Sequence, residues 1–194
     1  MNNHSVINIL DLLDAVGEDE VRSILSDFSC PKNQEIEKYL LNNALDFAKR
    51  KMSITYLVYD ELSQFIGYFT LTHKSSLIPK DKLSGTSQKK IEKHAKFDES
   101  INCYDVSAFL LAQFGKNYAV DDGKTVSGDH LMDDVFSILS EVQHLIGGEV
   151  VFLECEEKEK LLEFYKNDNN RFKQYGERIS NKENKKYLQL LRFV

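Results

Sequence analysis

The chain of 194 residues has no tryptophan, two prolines and three cysteines, and each scarcity excludes something. Cys30, Cys103 and Cys155 are odd in number, widely spaced and outside any C-x-x-C or Cys/His cluster. That pattern excludes a disulfide framework and a zinc module, and reads as reduced, mostly buried thiols with no metal. No stretch reaches the roughly 20 apolar residues that a helix needs to span a bilayer, so no membrane partner is expected. Met1 to Ser5 lacks the basic-then-apolar pattern of a secretory signal, and the expected compartment is the cytoplasm. There is no internal repeat and no low-complexity segment, and Pro31 and Pro79 act only as punctuation.

What is present is an ordinary globular composition, long enough to bury a sizeable core, and it predicts a single domain over 1–194. The net charge of -6 conceals a segregation. Asp11 to Glu37 and Asp121 to Glu163 are acidic, whereas Lys74 to Lys96 carries seven lysines against Asp81 and Glu92, and Lys166 to Arg192 is also basic. A charged run is first of all a solvated face; its functional reading is a cationic rim for cofactor phosphates or a nucleic-acid backbone.

Residues 1–51 read as a helical N-terminal part. Val6 to Leu10 suits a short strand, and Leu12 to Phe28 gives amphipathic helical segments broken at Gly17. Asn33 caps a longer helix with Ile36, Tyr39, Leu40, Ala44 and Phe47 on one face, ending at Lys49-Arg50-Lys51. Ile54 to Tyr59 and Phe65 to Leu71 form a hairpin around Asp60 to Gln64. Residues 74–102 are a polar, lysine-rich insert, either a lid or an excursion, with a surface helix over Thr86 to Ala95. Tyr175 to Ile179 and Tyr187 to Phe193 close the chain as two strands around Asn181 to Asn184.

The informative stretch is Val106 to Ile146. Val106, Ala108, Leu110, Leu111 and Phe114 make an apolar run of strand length, followed by the loop Asp122-Gly123-Lys124-Thr125-Val126-Ser127-Gly128. From Asp129 the period changes: Leu131, Val135, Leu139, Val142 and Ile146 recur at helical spacing, with Ser127 as N-cap and Gly147-Gly148 as stop. A helix N-terminus offers unpaired N–H groups and partial positive charge, so a glycine-bearing turn feeding it can hold a pyrophosphate, with Lys124 adding a cation. Taken alone, strand, loop and capped helix are common to most α/β domains.

Glu149 to Glu154 then reads as a buried strand and Lys158 to Lys166 as a short helix carrying Phe164-Tyr165. The order strand, Gly-turn, long helix, strand, short helix ending in Phe-Tyr resembles the core of the GNAT N-acetyltransferase superfamily, over roughly residues 54 to 193. The resemblance implies an α/β (α+β) fold with a central mixed, mostly antiparallel twisted sheet, flanked by helices and splayed between its central strands. It implies acetyl-coenzyme A (acetyl-CoA) as substrate, without a metal. In the family, the turn Q/R-x-x-G-x-G/A binds the pyrophosphate; here Asp122, Gly123, Lys124, Thr125, Val126 and Ser127 match it, with Gly128 next. Asp122, Thr125 and Ser127 depart from the pattern. The strand at Leu110 to Phe114 would meet the thioester and pantetheine, which makes Leu111, Gln113 and Phe114 cofactor-binding residues. Tyr165 matches the tyrosine that protonates the departing thiolate, and Asn169 takes the place of a glycine that follows it, a tolerable swap because Asn accepts a left-handed backbone better than most residues, with the next Phe displaced to Phe172.

Phe28-Ser29-Cys30, Thr55-Tyr56-Leu57-Val58, Gly67-Tyr68-Phe69-Thr70-Leu71 and Leu110-Leu111-Ala112-Gln113-Phe114-Gly115 resemble, more narrowly, the acetyltransferase toxins of bacterial toxin–antitoxin pairs. That branch implies aminoacyl-tRNA as the amine acceptor, an antitoxin protein as partner and, in some assemblies, a homodimer. A small-molecule or protein amine is the competing acceptor, and a non-catalytic module binding CoA or a protein is the competing class. The general base is not identified: Glu154 reads as an exposed carboxylate, and His73, His130 and His144 carry no role. Asn117 and Tyr118 contact the cofactor or the acceptor, or only form the turn.

Overall fold

The computed structural model describes residues 4–180 and 184–194, and within them the chain divides into two compact units. Among the described residues, one comprises 4–72 with 111–137, the other 73–110 with 138–180 and 184–194.

In the first unit, β1 (Ser5–Asn8) pairs antiparallel with β2 (Ile54–Tyr59), which pairs antiparallel with the beginning of β3 (Phe65–Pro79). Thr55 and Thr70 face each other in that register and join through their buried hydroxyls at 2.8 Å. Asn8 caps α1 (Ile9–Val16), and Gly17, at φ +83°, takes the left-handed turn into α2 (Glu18–Ser26) that a side chain would resist. Asn33 caps α3 (Gln34–Tyr39) as expected, accepting from the Glu35 amide. The helix then widens into a π-turn at Leu40–Ala44 before α4 (Leu45–Lys49). Ile9, Val21, Leu25, Phe28, Leu40, Leu45, Leu57 and Tyr68 make this unit's core.

In the second unit the sheet order is β3, β5 (Cys103–Lys116), β6 (Val150–Glu156), β8 (Lys185–Phe193) and β7 (Lys173–Ser180), with β4 (Ala95–Asp98) also on β5. The pairs β4–β5, β6–β8 and β7–β8 are antiparallel; β5 and β6 are parallel, joined through the crossover helix α6 (Gly128–Ile146). Together with β1–β3, this is the expected mostly antiparallel sheet flanked by helices. Ile78, Ile91, Tyr104, Val106, Val150, Phe152 and Leu191 form the core. α7 (Glu159–Lys166) follows β6.

The expected hairpin is longer than its apolar residues, since β3 continues through the polar Thr72 to Ser76 as far as Pro79. The lysine-rich stretch is accordingly built structure. It contains the end of β3, the helix α5 (Gly85–Ile91) and β4, and it ends where β5 begins. α5 is capped by Ser84, and its Ile91 is fully buried. The expected final turn at Asn181 to Asn184 lies outside the described residues except for Asn184. No described helix is long and apolar enough to cross a membrane.

Candidate active site

The nine expected cofactor residues all fall in the first unit, on the end of β5, the loop after it and the first residue of α6. Leu111 is buried, and Gln113 and Phe114 are half-buried. The loop is not a simple glycine turn. Asp121, Asp122 and Gly123 have φ of 45°, 52° and 68°, a left-handed run in which only the last residue lacks a Cβ. A left-handed L-residue costs roughly 1–2 kcal/mol, so this conformation needs support from outside the run.

Lys116 supplies it. The last residue of β5 sends its ammonium back to the carbonyls of Gly123 (2.5 Å) and Val126 (3.0 Å). Burial, with a smaller effect from Lys32, lowers its pKa. Tyr118 backs the same turn: a Cβ on Gly123 would lie 3.0 Å from its ring, and the Lys32 ammonium sits 4.5 Å from its centroid. Sequence reasoning chose Lys124 as the loop's cation; it is exposed, and Lys116 is the one built in. The only signal was position, a cation closing an apolar strand just before the loop.

The loop's own bonds decide which amides remain. Gly123 N–H donates to Val120 O (2.9 Å) and Lys124 N–H to Asp121 O (3.0 Å), so those two expected phosphate donors are already used. Ser127 caps α6, accepting the His130 amide at 3.0 Å, as expected. Among the described residues, the amides of Thr125, Val126, Ser127 and Gly128 donate to no backbone carbonyl outside regular structure. These four lie at the N-terminus of a 19-residue helix, where amides and helix dipole together suit an anion.

Asn117 and Tyr118 follow the structural reading. Asn117 is 1% exposed. Its amide nitrogen donates to Asp27 O and Phe65 O, and its oxygen accepts from the amides of Ser29 and Ala119. It fastens the start of the loop to two other segments of its unit.

Tyr165 lies in the second unit, on α7. Its ring packs edge-on against Phe172 at 5.8 Å and tilted against Phe164 at 4.9 Å. Burial, then the neighbouring Cys155, pushes its phenol well above the ordinary tyrosine range, so it holds its proton at neutral pH. The residue is 9% exposed, and among the described residues its hydroxyl makes no hydrogen bond. The turn after it corrects one expectation: the left-handed residue is Arg171, φ 52°, rather than Asn169. Asn167 accepts from the amides of Asn169 and Asn170, the fully buried Asn170 donates to Phe164 O, and Arg192 donates to the carbonyls of both Asn169 and Asn170.

Also in the second unit, Glu154 is held bidentately by Arg178 (2.6–3.0 Å) and by Gln189 (3.0 Å). Burial alone would raise its pKa; the bonds from Arg178 and Gln189 outweigh it and the net shift is downward, which makes Glu154 a poor base. His73 Nε2 is 2.8 Å from Ser107 Oγ, with its ring 5.1 Å from that of Phe109. His130 and His144 are exposed. The parallel register joins Ala108, Phe109 and Leu110 to Val150, Val151 and Phe152, and β5 runs on from there through Leu111 to Lys116. Among the described residues no group of side chains could hold a metal ion.

No protein-family model matches the sequence, and no curated protein matches it. Solved structures do match the fold. AtaT complexed with acetyl-methionyl-tRNAfMet superimposes with a TM-score of 0.65 at 16% identity, over 98% of this chain and 94% of its own. A tyrosine-to-phenylalanine mutant of KacT gives 0.64 at 18% identity, over 98% and 95%. AtaTR bound with AcCoA gives 0.58 at 16% identity, over 100% and 94%. The chain therefore has the fold of the GNAT acetyltransferase toxins.

Proposed function

We propose that the chain is an acetyl-CoA-dependent N-acetyltransferase whose acceptor is the amino group of an aminoacyl-tRNA, acting in the cytoplasm as the toxin of a toxin–antitoxin pair. The observation that carries this reading is the run of β5 past its register with β6 into a braced loop that ends on a capped helix N-terminus. An extended strand end offers backbone groups to the amides of a pantetheine arm, and the helix N-terminus suits a pyrophosphate. The fold shared with AtaT and KacT, at 15–18% identity, supports the same reaction class.

In this reaction the neutral amine attacks the thioester carbonyl carbon, the C–S bond breaks, and the thiolate takes the Tyr165 proton. Water removes the proton that the amine nitrogen loses. The products are an N-acetyl-aminoacyl-tRNA and CoA. Tyrosine-to-phenylalanine mutants were made of both AtaT and KacT, and AtaT is known bound to the C-terminus of the antitoxin AtaR, which motivates the acid role of Tyr165 and the protein partner here.

Calorimetry of acetyl-CoA against the wild type and Gly128→Glu tests the reading. A carboxylate at the first residue of α6 favours the helix by about 0.3–1 kcal/mol through its dipole, yet it opposes a bound phosphate. Binding is expected in the wild type and at least about tenfold weaker, a loss of 1.4 kcal/mol, in a variant of undiminished Tm. A wild type that binds no acetyl-CoA overturns it. Transfer of labelled acetyl from the cofactor to aminoacyl-tRNA then tests the acceptor.

A further inference from the structure

The chain is acidic overall, so a tRNA needs a local surface, and the second unit distributes its cations unevenly. From Arg178 onward the described cations are engaged within the chain, as is Lys158. Lys158 and Lys185 pair with Glu156, Arg178 with Glu154, and Lys186 with both Glu157 and Glu177, while Arg192 serves backbone carbonyls. Between Lys74 and Lys96 the balance is opposite. Among the described residues none of the seven lysines there is in an ion pair, and all but the half-buried Lys80 are exposed.

Three of them lie over aromatic rings. Lys80 lies 4.7 Å over the Phe97 ring, Lys90 5.2 Å over Phe193 and Lys74 6.0 Å over Phe152. An aromatic face steadies an ammonium without cancelling its charge. The backbone beneath is equally firm. Ile91 is fully buried, Gln88 donates to the carbonyls of Lys80 and Leu83, and the Tyr104 hydroxyl donates to Glu92, one of the stretch's two carboxylates. Phe152, under Lys74, stands opposite Leu110 in the parallel register, at the start of the strand end assigned to the thioester.

We propose that α5 and the ends of β3 and β4 form the surface that takes the phosphate backbone of the tRNA, leading along Lys74 to the β5–β6 register. This rests on aminoacyl-tRNA being the acceptor, and it assigns the described cations from Arg178 onward to internal contacts. Unpaired, pre-positioned lysines release counterions on meeting phosphates, so affinity should fall steeply with salt.

The test is fluorescence anisotropy of a labelled tRNA with the full chain between 50 and 200 mM salt. Lys82→Gln/Lys89→Gln/Lys93→Gln removes three exposed lysines of the surface, and Lys158→Gln/Lys185→Gln/Lys186→Gln removes three paired ones. The first variant should weaken binding about ten- to a hundredfold at 0.1 M salt and reduce the log–log slope by about 2–3, with acetyl-CoA affinity unchanged. The second should change the slope by less than one. Equal effects of the two variants overturn the proposal, as does displacement of the tRNA by polyglutamate at equal charge, which would assign the surface to an acidic protein. Displacement by duplex DNA as readily as by unlabelled tRNA also overturns it, because the surface would then serve any duplex. If tRNA binds as expected but accepts no acetyl group, the surface stands and the proposed reaction falls.

Discussion

Replacing Lys116 by Met keeps the aliphatic stem of the side chain and deletes the ammonium that joins the carbonyls of Gly123 and Val126. A hydrogen bond to a charged group contributes about 1.5–3 kcal/mol; these two share one partly buried donor, so the expected loss is about 2–3 kcal/mol. For a domain of this size that lowers Tm by about 4–12 °C. The loss should not stop at stability. The left-handed geometry at Asp121 and Asp122 is opposed by its own backbone preference, and without the brace the loop relaxes to other conformations. Acetyl-CoA affinity should then fall by at least about tenfold, since the amides of Thr125 to Gly128 are no longer held together. Lys124→Met is the matched control: it removes an exposed cation from the same loop and should leave Tm within about 1 °C, as surface substitutions do. Differential scanning calorimetry and titration calorimetry on the two variants give both readouts. If Lys116→Met melts with Lys124→Met, or binds acetyl-CoA as the wild type does, the brace has no energetic role and the loop must be shaped by something else.

Tyr165→Phe should slow acetyl transfer by about 10²-fold or more, the usual worth of a positioned acid, while cofactor affinity and Tm stay near wild type, because the deleted hydroxyl makes no hydrogen bond among the described residues. An unchanged rate removes the residue from the chemistry. Ile91→Ala should cost about 2–5 kcal/mol, visible as a lower Tm and as faster proteolysis between Lys80 and Lys96; a wild-type melting curve would mean that α5 packs on nothing. The Glu154 carboxylate has a folded-state pKa below its ordinary 4.5, so the stabilisation from Arg178 and Gln189 is complete above that value and disappears as pH falls through the folded pKa. Glu154→Gln should accordingly melt below wild type at pH 7, with the gap narrowing towards pH 3; a gap independent of pH would assign it to packing.

The strand–loop–helix core was legible because its signals are local. The change from strand to helical period, the Ser127 cap and the Gly147-Gly148 stop each depend on a few adjacent residues, and they placed α6 to within a residue. β3 was read short because a strand whose outer stretch is polar and exposed looks like a loop from Thr72 onward. β4, four residues alternating between half-buried and exposed, carries too little pattern to separate from its surroundings. The site's supporting shell was the least legible part. Lys116 acts on carbonyls 7 and 10 positions away, Asn117 on residues 52 to 90 positions away, and such partners are defined only once the chain is folded. Asn169 was expected to turn the chain on propensity, but the bonds from Asn167 and Asn170 move the left-handed residue to Arg171.

The braced loop also bears on how the protein ages. Asp-Gly, here Asp122-Gly123, is the aspartyl dipeptide most prone to close into a succinimide and reopen as isoaspartate, a reaction in which the glycine nitrogen attacks the aspartate side chain. Here that nitrogen is committed to Val120 O, and the Gly123 carbonyl is pinned by Lys116. The same contacts that shape this loop thus slow the ageing of its most reactive dipeptide, so loosening the turn would shorten the chain's chemical half-life as well as alter its fold.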